Sequence, residues 1–170
     1  MNIRAAVRFV AFVVLATSVV TPMRSLDASG PIVISVGTNP WGVAVNSITN
    51  RAYVANQTSS SISVIDTVSH TVLTTISGLR PAPTGVAVDT DTNKIYVTHN
   101  QSSGGVTIID GTNAIITSHT VSNGWTSDVA VNSATDKVYV PNEGNNTVSV
   151  LSTATDAILG TISGGFSNPS

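Results

Sequence analysis

The chain has 170 residues, enough for one domain of ordinary size, and only 9% of them are charged, where about 25% is typical. It has no cysteine, which excludes disulfides, thiolate catalysis and cysteine-based zinc sites. The net charge of −2 gives no electrostatic case for binding nucleic acid or anionic membranes.

The first 28 residues are typical of a secretory signal. Arg4 and Arg8 form a basic start, and the 12 residues from Phe9 to Val20 form an apolar stretch too short to span a bilayer comfortably. We expect cleavage after Ala28, which leaves a mature chain without a membrane span. That chain would be secreted, periplasmic or at the cell surface. An uncleaved membrane anchor is the alternative.

Three copies of one pattern then recur at a step of 43 residues. They read GVAVNSITNRAYVAN from Gly42, GVAVDTDTNKIYVTH from Gly85 and DVAVNSATDKVYVPN from Asp128. Each copy is followed by a third and a fourth apolar segment, SISVID and TVLTTISG in the first copy. A fixed step of this kind is the signature of a repeat architecture.

Each repeat predicts four short strands, A to D, and no helix. The segments are rich in Val, Ile, Tyr and Thr and are separated by clusters of Asn, Asp, Ser and Gly. The residues of strand A are small, and they are apolar on both faces of the strand, which suits a crowded central axis. Strand D mixes Thr and Ser with Ile and Val, which is typical of an outer strand that is partly exposed to solvent. The pattern predicts an all-β fold of four-stranded antiparallel β-propeller blades.

The YVAN, YVTH and YVPN segments, each between a GVAV-like and an SVID-like strand, resemble the YVTN-type β-propeller repeat. The resemblance covers nearly the whole mature chain. Among its departures, His99 stands where the other copies have Asn56 and Asn142, Asp128 replaces the glycine and Ser152 replaces the aspartate. Propellers of this family are typically secreted, periplasmic or surface proteins with around seven blades. Their functions are diverse, so the resemblance implies little chemistry.

The strand count predicts an incomplete ring over residues 29–170. We expect an extra D strand over 31–37, blades over about 39–80, 81–124 and 125–167, and the stub of a fourth repeat at 168–170. A ring needs at least about four blades, so three leave two apolar blade faces bare. The chain would be the front part of a longer propeller, or copies would associate through the bare faces, for example two chains making six blades. A stable open arc, or capping of the bare faces by another protein, is the remaining alternative.

The D–A connections and the B–C loops are expected to share one rim of the central channel, where propellers usually bind ligands. The candidate binding residues on this rim are Trp41, Asn56, Thr84, His99, Trp125 and Asn142. The two tryptophans are candidate recognition anchors, with packing between blades as the alternative. The expected partner is a protein or a small ligand that the sequence does not identify.

Other residues whose side chains could bind a metal or take part in catalysis are interpreted as structural. Residues 89–93, DTDTN, begin like a calcium loop, but Lys94 and Asn100 occupy its glycine and glutamate positions, so we expect an A–B hairpin turn. Asp66 and Asp110 are expected to hydrogen-bond the backbone of their C–D turns. The three histidines share no ligand-like spacing. We therefore predict no catalytic residue, metal or cofactor.

The predicted function is a secreted, non-catalytic propeller module for binding or scaffolding. A structural surface-layer or adhesive repeat protein is an alternative that the composition in Ser, Thr and Asn favours. A fragment of a larger propeller enzyme is another. Propeller lactonases, lyases and quinone-dependent dehydrogenases resemble this fold, but their metal or cofactor residues have no match here.

Overall fold

The computed structural model describes residues 31–121 and 124–164, which contain three four-stranded antiparallel sheets. Blade 1 consists of β1 (Pro40–Asn46), β2 (Arg51–Asn56), β3 (Ser61–Asp66) and β4 (Thr71–Ile76). Blade 2 consists of β5 (Pro83–Asp89), β6 (Lys94–His99), β7 (Gly105–Ile109) and β8 (Ile115–Thr120). Blade 3 consists of β9 (Ala130–Asn132), β10 (Lys137–Asn142), β11 (Thr147–Ser152) and β12 (Ile158–Ser163). The predicted all-β blades are confirmed. The signal over residues 1–28 and the stub at 168–170 lie outside the described residues.

The A–B turns use the same backbone device in every blade. Asn50, Asn93 and Asp136, one repeat step apart, all have φ of 53°. Asn and Asp tolerate this left-handed conformation better than other residues with a side chain. The predicted hairpin turns, including the one at DTDTN, are therefore confirmed.

The first strands of the blades approach one another closely, β1 packing on β5 and β5 on β9. A Cβ atom on Gly42 would lie 2.2 Å from the carbonyl oxygen of Thr84, and one on Gly85 would lie 2.8 Å from Asp128 Cα. Only glycine fits at such distances. The small residues of strand A thus permit the crowded axis that the sequence predicts.

Two hydrophobic clusters join the blades. The one between blades 1 and 2 includes Tyr53, Ile62 and Ile95, all fully buried. The one between blades 2 and 3 includes Tyr96 and Leu151, also fully buried. The outer strands β4, β8 and β12 are largely exposed, as their mixed composition predicts. The core therefore lies between the sheets.

Residues 31–36 form no strand, which corrects the D strand expected over residues 31–37. A strand requires hydrogen bonds to a neighbouring strand. All three sheets already draw four strands from their own repeats, so this segment has no partner blade to complete.

Helices are minor in the part of the chain that the structure describes. They are two 3₁₀ turns of three residues, Ser133–Thr135 and Glu143–Asn145, and no helix there could cross a membrane. Both turns lie in blade 3, where they lead out of β9 and β10.

Candidate functional site

One backbone hydrogen bond, repeated in each blade, joins the D–A connection to the B–C loop. Gln57 N donates to Asn39 O at 2.9 Å, Asn100 N to Ala82 O at 2.8 Å and Glu143 N to Trp125 O at 3.1 Å. The donors and the acceptors each occupy equivalent repeat positions. The connections and loops therefore meet at one edge of every blade, as expected, and we call this edge the rim.

Two of the predicted binding residues, Asn56 and Asn142, are fully buried at the ends of their B strands. Asn56 Nδ2 donates to Ser61 Oγ at 3.2 Å and to Ser63 Oγ at 3.0 Å. Asn142 Nδ2 donates to Thr147 Oγ1 and Ser149 Oγ, both at 2.9 Å. These amides tie the B strand to the C strand, and both side chains are enclosed within their blades.

His99 plays the same part in blade 2 and is also fully buried. Its Nδ1 lies 3.1 Å from Pro81 O and its Nε2 lies 2.8 Å from Thr107 Oγ1. Because a carbonyl can only accept, the neutral ring donates from Nδ1 and accepts at Nε2 from the Thr107 hydroxyl. Burial lowers the pKa of His99 to about 4. A neutral, enclosed imidazole with both nitrogens engaged is a structural group.

Thr84, the fourth polar candidate, is 2% exposed. Its hydroxyl donates to Thr126 O at 3.4 Å, and the Thr126 hydroxyl in turn donates to His99 O at 3.0 Å. The threonines link blade 2 to the connection that leads into blade 3. The side chains of all four polar candidates are thus buried in the free chain.

The two tryptophans are exposed. Trp125 is 55% exposed in the connection before β9, and Trp41 is 63% exposed in β1. They lie in different blades and at non-equivalent repeat positions. Large aromatic side chains that are this exposed to solvent contribute most to binding free energy when a partner buries them.

Trp125 borders a cavity of about 240 Å³ that Ser102, Gly124 and Gly144 also line. The backbones of the two glycines nearly touch, since a Cβ on Gly124 would lie 2.5 Å from Gly144 Cα. These lining residues are not among those predicted from the sequence. The sequence feature that could have indicated them is a glycine next to the tryptophan in the D–A connection, together with a second glycine in the B–C loop of the same blade.

The exposed carboxylates Asp66 and Asp110 serve their own turns. Asp66 Oδ1 accepts from the backbone of Val68 and Ser69, both at 2.8 Å. Asp110 Oδ1 accepts from Thr112 Oγ1 at 2.6 Å and from Thr112 N at 2.8 Å. These hydrogen bonds lower the pKa of both carboxyls, the bond from Ser69 N contributing most at Asp66 and that from the Thr112 side chain at Asp110. The expected turn-capping role is confirmed.

Basic residues that open the B strands link neighbouring blades, which the sequence analysis did not foresee. Arg51 Nη1 donates to Gly111 O at 3.1 Å, and Lys94 Nζ donates to Thr153 O at 2.8 Å. Lys94 also forms an ion pair of 2.8 Å with Asp156. The sequence feature that could have indicated this role is the separation of the two basic residues by one repeat step of 43 residues.

Within the described residues, no three His, Asp or Glu side chains lie together where they could hold a metal ion. The His70 backbone is left-handed, with φ of 57°, in the turn after β3, and His119 lies on β8. The three histidines are therefore not brought together.

No protein-family model matches the chain, and no curated protein does. Solved β-propeller structures are similar to it. A chain of Kuenenia stuttgartiensis hydrazine synthase matches with a TM-score of 0.71 and 21% identity, over 82% of this chain and 40% of that one. The RRP9 WD40 repeats match with a TM-score of 0.68 and 16% identity, over 76% of this chain and 40% of that one. A structure of U3-55K matches with a TM-score of 0.66 and 17% identity, over 76% of this chain and 41% of that one. The chain thus has the blade architecture of a β-propeller and spans about 40% of the length of each of these chains.

Proposed function

We propose that the chain is a secreted, non-catalytic β-propeller module of the YVTN type that binds a protein partner at the rim. The observation that carries this proposal is Trp125, more than half exposed beside a cavity of about 240 Å³. An exposed tryptophan next to a small cavity offers a partner an aromatic surface to cover and a pocket to fill. The similarity to WD40 repeats supports an interaction module.

The size of the cavity favours a protein over a small molecule. Pockets for drug-sized ligands usually measure about 300–1,000 Å³. A cavity of about 240 Å³ is small for such a ligand but suits a single side chain of a partner. The partner would therefore contribute one side chain to the cavity and further contacts to the rim around it.

The B–C loops of blades 1 and 2 favour a recognition surface made mostly of uncharged polar groups, whereas blade 3 contributes Glu143, whose carboxylate accepts a hydrogen bond from Ser127. The B–C loops of blades 1 and 2 carry Gln57, Thr58 and Ser59 in one and residues 100–103, NQSS, in the other. These are amides and hydroxyls that adapt their hydrogen bonds to a partner. Antibody paratopes combine rigid aromatic anchors with such adaptable polar residues. A neutral peptide segment with an apolar side chain is the ligand that this surface suits.

The non-catalytic part of the proposal rests on how the titratable groups are used. Asp66 and Asp110 are engaged by their own turns, with the pKa of each lowered, so neither is tuned to exchange protons near neutrality. His99 is enclosed and neutral. Each of these three groups has a structural partner that explains its presence.

The test is a selection of displayed random peptides against the purified chain, repeated with Trp125→Ala and with Ile116→Ala. Ile116 is 44% exposed on β8, away from the rim, so it is a matched apolar control. We expect peptides with a common apolar residue that bind the wild-type chain and the control and lose about tenfold or more in affinity to Trp125→Ala. Selection of no peptide that depends on Trp125 would contradict the proposal.

A further inference from the structure

Blades 1 and 3 each have one face that no other described blade covers. We call the face of a blade that looks toward the next blade in the chain its forward face, and the opposite one its back face. On the back face of blade 1, Val43 and Val45 are 62% and 57% exposed. On the forward face of blade 3, Ile162 is 48% exposed. Apolar side chains in such a group mark an interaction surface.

The forward face of blade 3 repeats a face that is buried elsewhere in the same chain. It is partly exposed: Ile162 is exposed, Val150 is buried, and its other apolar side chains are half-buried. Blade 1 buries its forward face in the cluster with blade 2 through Tyr53, Ala55, Ile62, Val64 and Ile76. The equivalent side chains of blade 3 are Tyr139, Pro141, Val148, Val150 and Ile162. They pair across their strands in the same register as in blade 1. Blade 3 therefore presents a surface that already has a known complement, the back face of a blade.

The back face of blade 1 repeats that complement. Blade 2 contributes Val86 and Val97 to its contact with blade 1, and they are 8% and 0% exposed. The equivalent residues of blade 1 are Val43 and Val54. The two uncovered faces are thus the two halves of a contact that the chain makes internally.

We propose that the protein associates head to tail with a second copy of itself, the forward face of blade 3 packing on the back face of blade 1. Such a contact is heterologous, because it joins two different surfaces. Two chains of three blades make six, which lies within the usual four to eight of propeller rings. This inference rests on the repeat geometry and does not depend on the proposed peptide site.

Polar residues at the edges of the two faces support the same pairing. Arg51 and Lys94 each donate to the first carbonyl of the C–D turn in the next blade, as described above. Lys137 occupies the third equivalent position and donates a long hydrogen bond of 3.4 Å to Thr135 O of its own blade. In the proposed contact Lys137 would face Thr67 of the second copy, which is equivalent to Gly111.

A second polar pair, formed between blades 1 and 2, supports the same pairing. Asn46 Nδ2 donates to Asn93 Oδ1 at 2.9 Å between blades 1 and 2, and Asn46 is fully buried there. The equivalent residues of the two uncovered faces are Asn132 and Asn50, and both are exposed. The second copy would bury this amide pair as blade 2 buries the first.

The proposed contact differs from the internal ones at one position. Asp128 stands where blades 1 and 2 have Gly42 and Gly85, at which a Cβ would lie 2.2 and 2.8 Å from backbone of the next blade. The first strands must therefore lie further apart at the new junction. Replacing Asp128 by glycine removes this obstacle and should strengthen the association.

The experiment is sedimentation velocity of the full chain over a range of concentrations, reaching roughly 100 µM, where even weak dimers form. We expect a species of twice the 17.4 kDa chain mass. Val45→Lys on the back face and Ile162→Lys on the forward face should each weaken it about tenfold or more, and Asp128→Gly should strengthen it. Ile116→Lys, on the outer strand of blade 2, is the matched control and should leave it unchanged. Circular dichroism melts check that each variant folds.

Mixing the two lysine variants separates a head-to-tail contact from a symmetric one. A mixture of Val45→Lys and Ile162→Lys contains one junction in which both faces are wild type, so dimers should reappear. A face that pairs with its own copy would be sensitive to only one of the two variants. A wild-type chain that stays monomeric, a dimer that only one face affects, or a mixture without recovery would overturn the proposal.

Discussion

His99 Nε2 lies 2.8 Å from Thr107 Oγ1, and the two residues stand where blade 1 has Asn56 and Ser63 and blade 3 has Asn142 and Ser149. In all three blades the last side chain of the B strand folds back onto a hydroxyl of the C strand. A histidine at the end of a B strand, next to the rim, suggests a functional site, but here it replaces an asparagine in a repeated structural bond.

The first prediction is that the free energy of unfolding decreases as the pH is lowered, because His99 is buried in its neutral form. Its pKa is lowered to about 4 in the folded chain from 6.5, so between these values the unfolded chain binds the extra proton and folding stability rises with pH. From pH 7.5 to 5 the wild-type chain should lose about 2 kcal/mol more than His99→Asn, which restores the residue of the other blades. Urea titrations at the two pH values measure this difference, and equal losses would contradict the burial of a neutral ring.

The second prediction concerns the buried amide of blade 3. Asn142→Ala removes two donors at 2.9 Å, one of them to the buried Ser149 hydroxyl, and should lower the free energy of unfolding by about 1–3 kcal/mol. Chemical denaturation measures the loss, and a double-mutant cycle with Ser149→Ala isolates the pair. If Asn142→Ala cost under about 0.5 kcal/mol, as surface substitutions do, the amide would not hold the strands together.

The third prediction concerns two tyrosine hydroxyls. Those of Tyr53 and Tyr96 are buried without a hydrogen-bond partner among the described residues. Burial also raises the pKa of Tyr96. Tyr53→Phe and Tyr96→Phe should leave thermal stability unchanged or raise the free energy of unfolding by about 1 kcal/mol, since each removes an unsatisfied group. Tyr139→Phe, at the half-buried equivalent position, is the control. A loss above about 1 kcal/mol in either variant would mean that the hydroxyl has a partner.

The fourth prediction concerns the spacing of the first strands. Gly42→Ala should destabilise the fold by about 1–3 kcal/mol, because the new Cβ would meet the carbonyl oxygen of Thr84 at 2.2 Å. Gly160→Ala is the control, since nothing lies within 4 Å of its Cβ position and its φ is not positive. Similar thermal midpoints for the two variants would show that the strands can separate at no cost.

The sequence was sufficient to predict the blades and their turns because both depend on local patterns. The step of 43 residues and the alternation of apolar and turn residues specify the strands. The positive φ at Asn50, Asn93 and Asp136 follows from residue type. Asp66 and Asp110 hold their turns through bonds to residues two to four positions away, which a sequence displays directly.

The candidate site was less accessible because it depends on contacts distant in sequence. Nothing near Asn56 or His99 indicates that each side chain turns inward to a neighbouring strand. The segment over residues 31–36 has a strand-like composition, yet whether it pairs depends on a vacancy in another sheet. The cavity beside Trp125 likewise depends on contact between Gly124 and Gly144. These residues are 20 positions apart in the sequence and meet only when the D–A connection packs on the B–C loop of blade 3.

Oxidative footprinting of the chain bound to a selected peptide locates the binding surface by the loss of side-chain labelling. Trp125, which is 55% exposed in the free chain, should be protected strongly, while Ile116 on the outer strand keeps its labelling. Protection of Ile116 and the outer strands with Trp125 still labelled would place binding elsewhere and contradict a recognition site on the rim.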